Sequence, residues 1–96
     1  MRAHKYFCVV AYDTPSVKRR NKIVKLLEPH GRRINYSVFE CMFSPAGLRN
    51  LKLGLSEIVV PNKDVVAIYQ ICQDCFTKIA YIPQVTHSVQ TIVVAD

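Results

Sequence analysis

A single carboxylate at the end of a hydrophobic run precedes a concentration of positive charge. The apolar residues 9–12 stop at Asp13, and Thr14 and Pro15 follow. The cations that come next are Lys18, Arg19, Arg20, Lys22 and Lys25. A carboxylate beside clustered cations could hold a metal ion that assists phosphodiester cleavage. The same residues are also consistent with ordinary punctuation between a strand and a helix.

The positive charge is uneven along the chain. The 96 residues carry a formal net charge of +6, and seven of the 13 lysines and arginines lie within residues 18–33. This clustering favours a polyanionic partner, most simply nucleic acid, although a solvated helix face is the alternative. No base-reading helix or pair of sheet aromatics is evident, so we expect binding that is independent of base sequence.

The four cysteines are of two kinds. Cys8 and Cys41 lie in apolar runs and are expected to be small buried hydrophobes. Cys72 and Cys75 form a Cys-x-x-Cys pair, but a structural zinc site needs four ligands and His87 is the only histidine further along. A redox role also has little support, because the thioredoxin-type motif opens a helix after a first strand.

Length and composition predict one folded domain. Half of the residues are hydrophobic and 21% are charged, which is typical of a globular protein. The start of the chain lacks the features of a signal peptide, and no apolar stretch reaches the roughly 18 residues of a membrane span. A cytoplasmic protein without a membrane partner is therefore expected.

The hydrophobic pattern predicts the elements that would position Asp13. Strands are predicted at residues 5–12, 32–43, 64–71, 78–82 and 91–95, and helices at 15–28 and 45–59. Thr14 and Ser44 each precede a proline and are the predicted N-caps of the two helices. Residues 72–75 are predicted to form a short turn or a single helical turn.

Arg20 falls on the apolar side of the first predicted helix. The stripe around it consists of Val17, Ile23, Val24 and Leu27. A cation there needs a partner, and its side chain leans toward the helix start and Asp13. A buried Asp13–Arg20 ion pair and a shared phosphate site are both consistent with this placement. The row predicted to face solvent and nucleic acid consists of Lys18, Arg19, Lys22 and Lys25.

The order of the elements predicts an α+β domain of the ferredoxin-like, split βαβ type (βαββαβ), with both helices on one face of the sheet. Residues 1–82 would form this domain, and residues 83–96 a linker and a C-terminal strand that packs on a partner protomer. The first and third strands are apolar on both faces, and no remaining segment is expected to be long enough to cover the bare face. A homodimer packed sheet against sheet is the simplest prediction.

Several segments together resemble the Cas2 family of CRISPR-associated proteins, the small subunits of the machinery that captures new spacers. They are Tyr12-Asp13, Lys18-Arg19-Arg20 with Lys22, Gly31, and the run Arg-Ile-Asn-Tyr-Ser-Val-Phe-Glu at residues 33–40. The resemblance extends over nearly the whole chain. Asn35 stands where the family more often has glutamine, and both are amides.

This resemblance implies a homodimer whose two sheets face each other, with Asp13 of both protomers meeting across the cleft. It implies a magnesium or manganese ion held by Asp13. The positions carried over as catalytic are Tyr12, Asp13, Arg20, Arg33, Ser37 and Phe39. Lys22 occupies a place where the family commonly has a cation.

The chemistry of these residues favours some roles over others. One chain makes a poor metal site, because no other acid is spaced to join Asp13, whereas a dimer supplies two copies. Arg20 and Arg33 could neutralise charge that develops on a phosphate. Phe39 is expected to pack rather than stack on a base, and Ser37 to form a hydrogen bond rather than act as a nucleophile. Tyr12 is expected to be structural.

Three functions follow as hypotheses. The first is a spacer-acquisition (adaptation) protein, a homodimer that binds duplex DNA and bridges dimers of a Cas1-type integrase. The second is a stand-alone metal-dependent endonuclease that cleaves RNA or double-stranded DNA. The third is an interaction module without a nucleic-acid role.

Overall fold

Four strands form one antiparallel sheet within residues 5–83, which the computed structural model describes. They are β1 (Tyr6–Asp13), β2 (Gly31–Asn35), β3 (Val38–Phe43) and β4 (Val65–Ile71). The helices are α1 (Val17–Leu27), α2 (Pro45–Ile58) and α3 (Gln73–Phe76), with a 3-10 turn at Glu28–His30. The strand order across the sheet is β2-β3-β1-β4. The predicted α+β, ferredoxin-like class is confirmed.

The core lies between one face of the sheet and the two long helices. Alternate residues of β1, namely Cys8, Val10 and Tyr12, point to this side because side chains alternate along a strand. They pack with buried residues of α1, β3 and α2, of which the largest fully enclosed are Phe39, Phe43, Ile23 and Leu27. The predicted burial of Cys8 and Cys41 is confirmed, since both are 0% exposed.

The two helix starts differ from each other. Ser44 caps α2 as predicted, and its hydroxyl oxygen accepts the Gly47 N–H at 3.0 Å. The cap of α1 is Ser16 rather than Thr14, because the Thr14 hydroxyl donates to Asp64 instead. The helix therefore begins at Val17, which is 62% exposed and does not join the apolar stripe.

Residues 32–43 are a hairpin rather than the single predicted strand. The chain reverses at Tyr36 and Ser37, where the Ser37 N–H donates to the Asn35 side-chain oxygen at 3.0 Å. The alternating pattern runs unbroken through this two-residue turn, which is why periodicity alone concealed it. A β carbon on Gly31 would overlap the Glu40 carbonyl oxygen and lie 2.7 Å from Cys41 Cα, so the strands approach closely at this glycine.

The strand predicted at residues 78–82 is absent from the sheet, and this prediction is wrong. Instead, the segment after β4 crosses the face of the sheet that lies away from the helices. Phe76 packs edge-on against Phe7, with ring centroids 4.7 Å apart, and the Tyr81 hydroxyl donates to Glu40. The chain thus covers part of this face itself, contrary to the expectation that no segment could.

No other part of residues 5–83 covers the rest of that second face, and we call this region the open face. Val9 and Ala11 are half-buried there, whereas Val65 and Tyr69 on β4 are 65% and 57% exposed. The strand predicted at residues 91–95 and its linker lie outside the described residues, and the domain boundary at residue 82 stays a prediction. Within residues 5–83, no helix has both the length and the apolar character needed to cross a bilayer.

Candidate functional site

Asp13 is the last residue of β1 and is exposed. It pairs with Val65 of β4 in the ladder and lies on the open side of the sheet, whereas Tyr12 points to the helix side. Neighbouring residues on a strand face opposite ways, so the two are separated by the sheet itself. The acid is therefore free to meet a ligand or a second protein surface from the open side.

Arg20 does not pair with Asp13 among the described residues, so the ion-pair alternative is wrong for the single chain. Its Nη2 donates to the Thr14 carbonyl at 3.3 Å, and its guanidinium lies 5.0 Å from the centre of the Tyr36 ring. The backbone carbonyl and the ring face satisfy this cation on the helix side of the sheet.

Tyr12 fastens β1 to the hairpin turn, which confirms its structural role. Its hydroxyl donates to the Tyr36 carbonyl at 3.0 Å, and its N–H donates to the Ser37 carbonyl at 3.0 Å. Burial raises the pKa of the Tyr12 phenol, and the nearby Arg33 and Arg20 oppose this rise. Through its backbone groups, Ser37 serves as a hydrogen-bonding turn residue.

Phe39 lies in the core and is 1% exposed. Its ring centre is 6.3 Å from that of Tyr12, and the exposed Arg33 places its guanidinium 5.5 Å over the Phe39 ring. Phe39 therefore packs, as expected, and is not available to stack on a base. Five of the six carried-over positions gather at the hairpin turn on the helix side, and Asp13 alone faces the open side.

Arg19 belongs to a network that the sequence analysis missed. Its guanidinium forms a salt bridge with Asp64, whose carboxylate also accepts from the Thr14 hydroxyl and from the Val60 N–H. The hydrogen bond from Arg19 is the main reason why the pKa of Asp64 lies well below its usual range. The prediction that Arg19 belongs to the solvent-facing row is therefore wrong. The sequence signal that could have revealed this network is Asp64, an acidic residue directly before β4, the strand that pairs with β1.

Three lysines of α1 remain exposed and without an acidic partner among residues 5–83: Lys18, Lys22 and Lys25. We call them the lysine row. Arg49 and Lys52 on α2 are also exposed. Because α1 and α2 lie on the same face of the sheet, the helix layer presents a positively charged surface.

A second buried ion pair lies on the sheet side opposite the helices. Arg32 Nη2 is 3.5 Å from Glu40 Oε1, without a well-aligned hydrogen bond. The pKa of Tyr81 is raised to about 12, mainly by burial and to a smaller extent by the hydrogen bond to Glu40. Tyr81 also lies 5.8 Å, measured to its ring centre, from the Arg32 guanidinium. Glu40 ends the run at residues 33–40 that carries the family resemblance, but neither Glu40 nor Tyr81 was predicted to be a site residue.

The described donors of one chain do not complete a metal site. No group of three or more His, Cys, Asp or Glu side chains able to hold an ion occurs within residues 5–83. Asp13 has the oxygen donors that magnesium prefers, but it supplies a single carboxylate.

Cys72 and Cys75 are both exposed and lie one helical turn apart. Cys72 caps α3, and the Cys75 N–H donates to Cys72 Sγ at 3.4 Å. The predicted single helical turn is therefore confirmed. The argument against redox chemistry was that a thioredoxin-type motif opens a helix after a first strand. The pair does open a helix, α3, but this helix follows β4 rather than β1.

The split βαβ order, the four-stranded antiparallel sheet and two helices on one face define a ferredoxin-like α+β domain with a cationic helix layer. The family described as "CRISPR associated protein Cas2" matches residues 6–79. The chain belongs to this family. It is 35% identical over 74 residues to "CRISPR-associated endoribonuclease Cas2 3" of Synechocystis sp., covering 77% of this chain and 80% of that one.

Other relatives and solved structures agree with this assignment. The chain is 41% identical over 63 residues to "CRISPR-associated endoribonuclease Cas2" of Thermus thermophilus, covering 66% of this chain and 67% of that protein. The crystal structure of Streptococcus pyogenes Cas2 has a TM-score of 0.70 at 26% identity, covering 78% and 96% of the two chains. A chain of a "Partial Cas6-RT-Cas1--Cas2 complex" has a TM-score of 0.68 at 26% identity, covering 81% and 91%.

Proposed function

We propose that this chain is a spacer-acquisition protein that binds duplex DNA as a homodimer and bridges dimers of a Cas1-type integrase. The observation that carries the proposal is the lysine row, because its three ammonium groups are exposed and have no acidic partner among the described residues. Free cations displace counterions from DNA phosphates, which favours binding at low salt. The similarity to a chain of a Cas1–Cas2 complex supports the choice of partner.

The open face supports the homodimer. Val65 and Tyr69 expose large apolar surfaces beside Val9 and Ala11, and the segment at residues 76–81 covers only the part around Phe7 and Glu40. Burying the remaining apolar area against a second sheet would be favourable. Tyr69→Glu should convert the dimer to a monomer in light scattering, whereas Leu53→Glu, an exposed change on α2, should leave it dimeric.

DNA binding is tested by removing charge from the lysine row. Replacing Lys18, Lys22 and Lys25 by Gln should weaken binding to duplex DNA and lower the slope of log Kd against log salt by about three. The control triple variant replaces Lys5, Lys63 and Lys78, which are exposed and lie outside α1. With these three lysines also replaced by Gln, the control has the same net charge as the lysine-row variant. It should bind duplex DNA nearly as tightly as the parent does. Equal losses in the two variants would contradict the proposal.

Assembly is tested with the integrase itself. The purified chain should co-elute with a Cas1-type integrase and support insertion of a duplex into a target. The lysine-row variant should still form the protein complex but bind less duplex. Failure to associate would contradict the bridging role without affecting DNA binding by the chain alone.

The second candidate function is metal-dependent endonuclease activity, favoured by the exposed carboxylate of Asp13 and by the names of the relatives. Asp13 and its copy from a second protomer would hold a magnesium or manganese ion. A bound ion of this kind would polarise a phosphate and lower the pKa of a water. Arg33 is exposed near the same end of the sheet and would bind a phosphate of the substrate.

Asp13→Asn separates the two candidates. The change should abolish cleavage of RNA or duplex DNA while leaving DNA binding and integrase association intact. Asp74→Asn, an exposed acid on α3, is the matched control and should cleave like the parent. Cleavage that persists in Asp13→Asn would come from another site or from a contaminant.

A further inference from the structure

The two exposed thiols at the start of α3 form a site that the proposed function does not use. Cys72 caps the helix and Cys75 lies one turn on, with the Cys75 N–H 3.4 Å from Cys72 Sγ. Side chains three residues apart on a helical turn are neighbours, and a disulfide spans Cα atoms about 4.4–6.8 Å apart. We propose that Cys72 and Cys75 form a reversible dithiol–disulfide site that exchanges with small-molecule disulfides such as glutathione disulfide.

The surroundings of the two sulfurs assign them different roles. Hydrogen bonds from the backbone and side chain of Cys75 lower the pKa of the Cys72 thiol, and the same contact raises the pKa of Cys75. The thiolate is the attacking form in disulfide exchange. Cys72 is therefore the attacking residue, and Cys75 resolves the intermediate.

The oxidation of the two thiols takes place in two exchange reactions. The Cys72 thiolate attacks one sulfur of glutathione disulfide, the sulfur–sulfur bond breaks, and one glutathione leaves as a thiolate that takes a proton from water. Cys75 then loses its proton and attacks Cys72 Sγ in the mixed disulfide, which releases the second glutathione. Two protein thiols are oxidised, and one glutathione disulfide is reduced to two thiols.

The other two cysteines provide an internal reference. Cys8 and Cys41 are register partners on β1 and β3 and are 0% exposed. Burial raises the pKa of both thiols, that of Cys41 to about 12. Neither is accessible or ionised at neutral pH, so oxidation of the folded chain should stop at Cys72 and Cys75.

The thiol site is independent of the proposed nucleic-acid function. Phe76, next to Cys75, packs on Phe7 near the start of β1, whereas Asp13 ends that strand. Six residues of strand correspond to about 20 Å. The test of the thiol pair can therefore fail without affecting the proposal for Asp13 or the lysine row.

The test equilibrates the folded full chain in glutathione buffers of increasing oxidised fraction, followed by acid quenching, alkylation and peptide mass spectrometry. The parent should gain one disulfide between Cys72 and Cys75, with a mass lower by two hydrogens, while Cys8 and Cys41 stay alkylatable after unfolding. Cys75→Ser should accumulate a glutathione adduct on Cys72. Cys72→Ser should react at Cys75 more slowly than Cys75→Ser reacts at Cys72, because the Cys75 thiol lacks the hydrogen bonds that favour the Cys72 thiolate.

Three outcomes would overturn the proposal. The first is a parent that stays reduced even in the buffer richest in glutathione disulfide. The second is disulfides that form only between chains. The third is zinc bound by these thiols in the purified chain that must be removed before oxidation, which would make the pair half of a metal centre. Circular dichroism of each serine variant establishes that it is folded before it is compared.

Discussion

Arg19 and Asp64 form a bidentate ion pair, in which Arg19 Nε lies 2.5 Å from Asp64 Oδ2 and Arg19 Nη2 lies 3.0 Å from Asp64 Oδ1. The same carboxylate accepts from the Thr14 hydroxyl at 2.5 Å and from the Val60 N–H at 2.8 Å. It therefore joins the residue after Asp13, the first turn of α1 and the loop before β4. This network holds the strand end that carries the candidate acid.

Replacing Asp64 by Asn should lower the resistance of the chain to urea at pH 7, because an uncharged amide cannot reproduce the ion pair. The pKa of Asp64 is lowered in the folded state, so its contribution to stability is present above its ordinary value of about 4. That contribution is lost as the pH falls below about 4 toward the lower folded value. The gap in unfolding free energy between parent and Asp64→Asn should therefore narrow from pH 5 to pH 2.

Asp74→Asn is the control for this acid profile. Asp74 pairs with Lys78 at 3.3 Å, but both side chains are largely exposed. An exposed pair contributes less than about 1 kcal/mol, so this variant should follow the parent at every pH. If Asp64→Asn and the parent stay equally far apart down to pH 2, the Asp64 network does not supply the acid dependence.

Tyr81→Phe should alter the alkaline limb of stability. The pKa of Tyr81 is raised to about 12, so the folded state holds this proton more tightly than the unfolded state does. The resulting stability is present below about pH 10 and is lost as the pH rises to about 12. The parent should lose more unfolding free energy across this window than Tyr81→Phe.

At neutral pH, Tyr81→Phe should cost about 1–3 kcal/mol, because a Glu40 oxygen loses its buried donor. Tyr36→Phe, a change at a phenol that is exposed and lies away from the open face, is the control in the same denaturant titrations. In the parent, titration of phenolate absorbance should show a late-ionising group that is missing only in Tyr81→Phe. An identical absorbance curve for that variant would contradict the assignment.

Gly31→Ala and Gly54→Ala form a matched pair with opposite expectations. At Gly31 the new methyl group would collide with the backbone of Glu40 and Cys41, so we expect a loss of about 1–3 kcal/mol in unfolding free energy. At Gly54, inside α2, the methyl group would lie 3.2 Å from the movable end of Leu26. There the gain in helix propensity, up to about 1 kcal/mol, should leave the protein unchanged or more stable. Equal urea midpoints for the two variants would contradict this reading.

Phe39→Ala should destabilise the chain by about 3–5 kcal/mol, because it empties a fully enclosed site in the core. Phe39→Leu should cost much less and should bind duplex DNA as the parent does. A normally stable Phe39→Leu chain with weakened DNA binding would instead indicate that the ring contacts nucleic acid. Urea titration and a binding isotherm on the same preparations distinguish the two roles.

Local sequence patterns predicted most of the elements correctly. The β1 strand, the two long helices, the Ser44 cap and the turn at residues 72–75 all follow from periodicity and capping chemistry, which act within a few residues. The hairpin was missed because a two-residue turn leaves the alternating pattern intact. The strand predicted at residues 78–82 was wrong because local propensity does not provide a neighbouring edge to pair with.

At the candidate site, too, the sequence predicted local features correctly but not the contacts between distant residues. Composition and spacing identified Asp13, the cationic helix and the residues around Tyr12, because each signal lies within one element. The sequence did not predict which side chains these residues contact. Arg19 meets an acid 45 residues away, and Arg20 meets Tyr36 rather than Asp13.

The sequence by itself thus determined the family, the order of the main elements and the concentration of positive charge on α1. Only the tertiary structure decided which cations are free, which face Asp13 occupies and which part of the second sheet face the chain covers itself. The physical reason is the distance along the chain over which each kind of interaction acts. Backbone propensity and side-chain periodicity are local, whereas ion pairs and burial depend on residues that meet only when the sheet and helices are assembled.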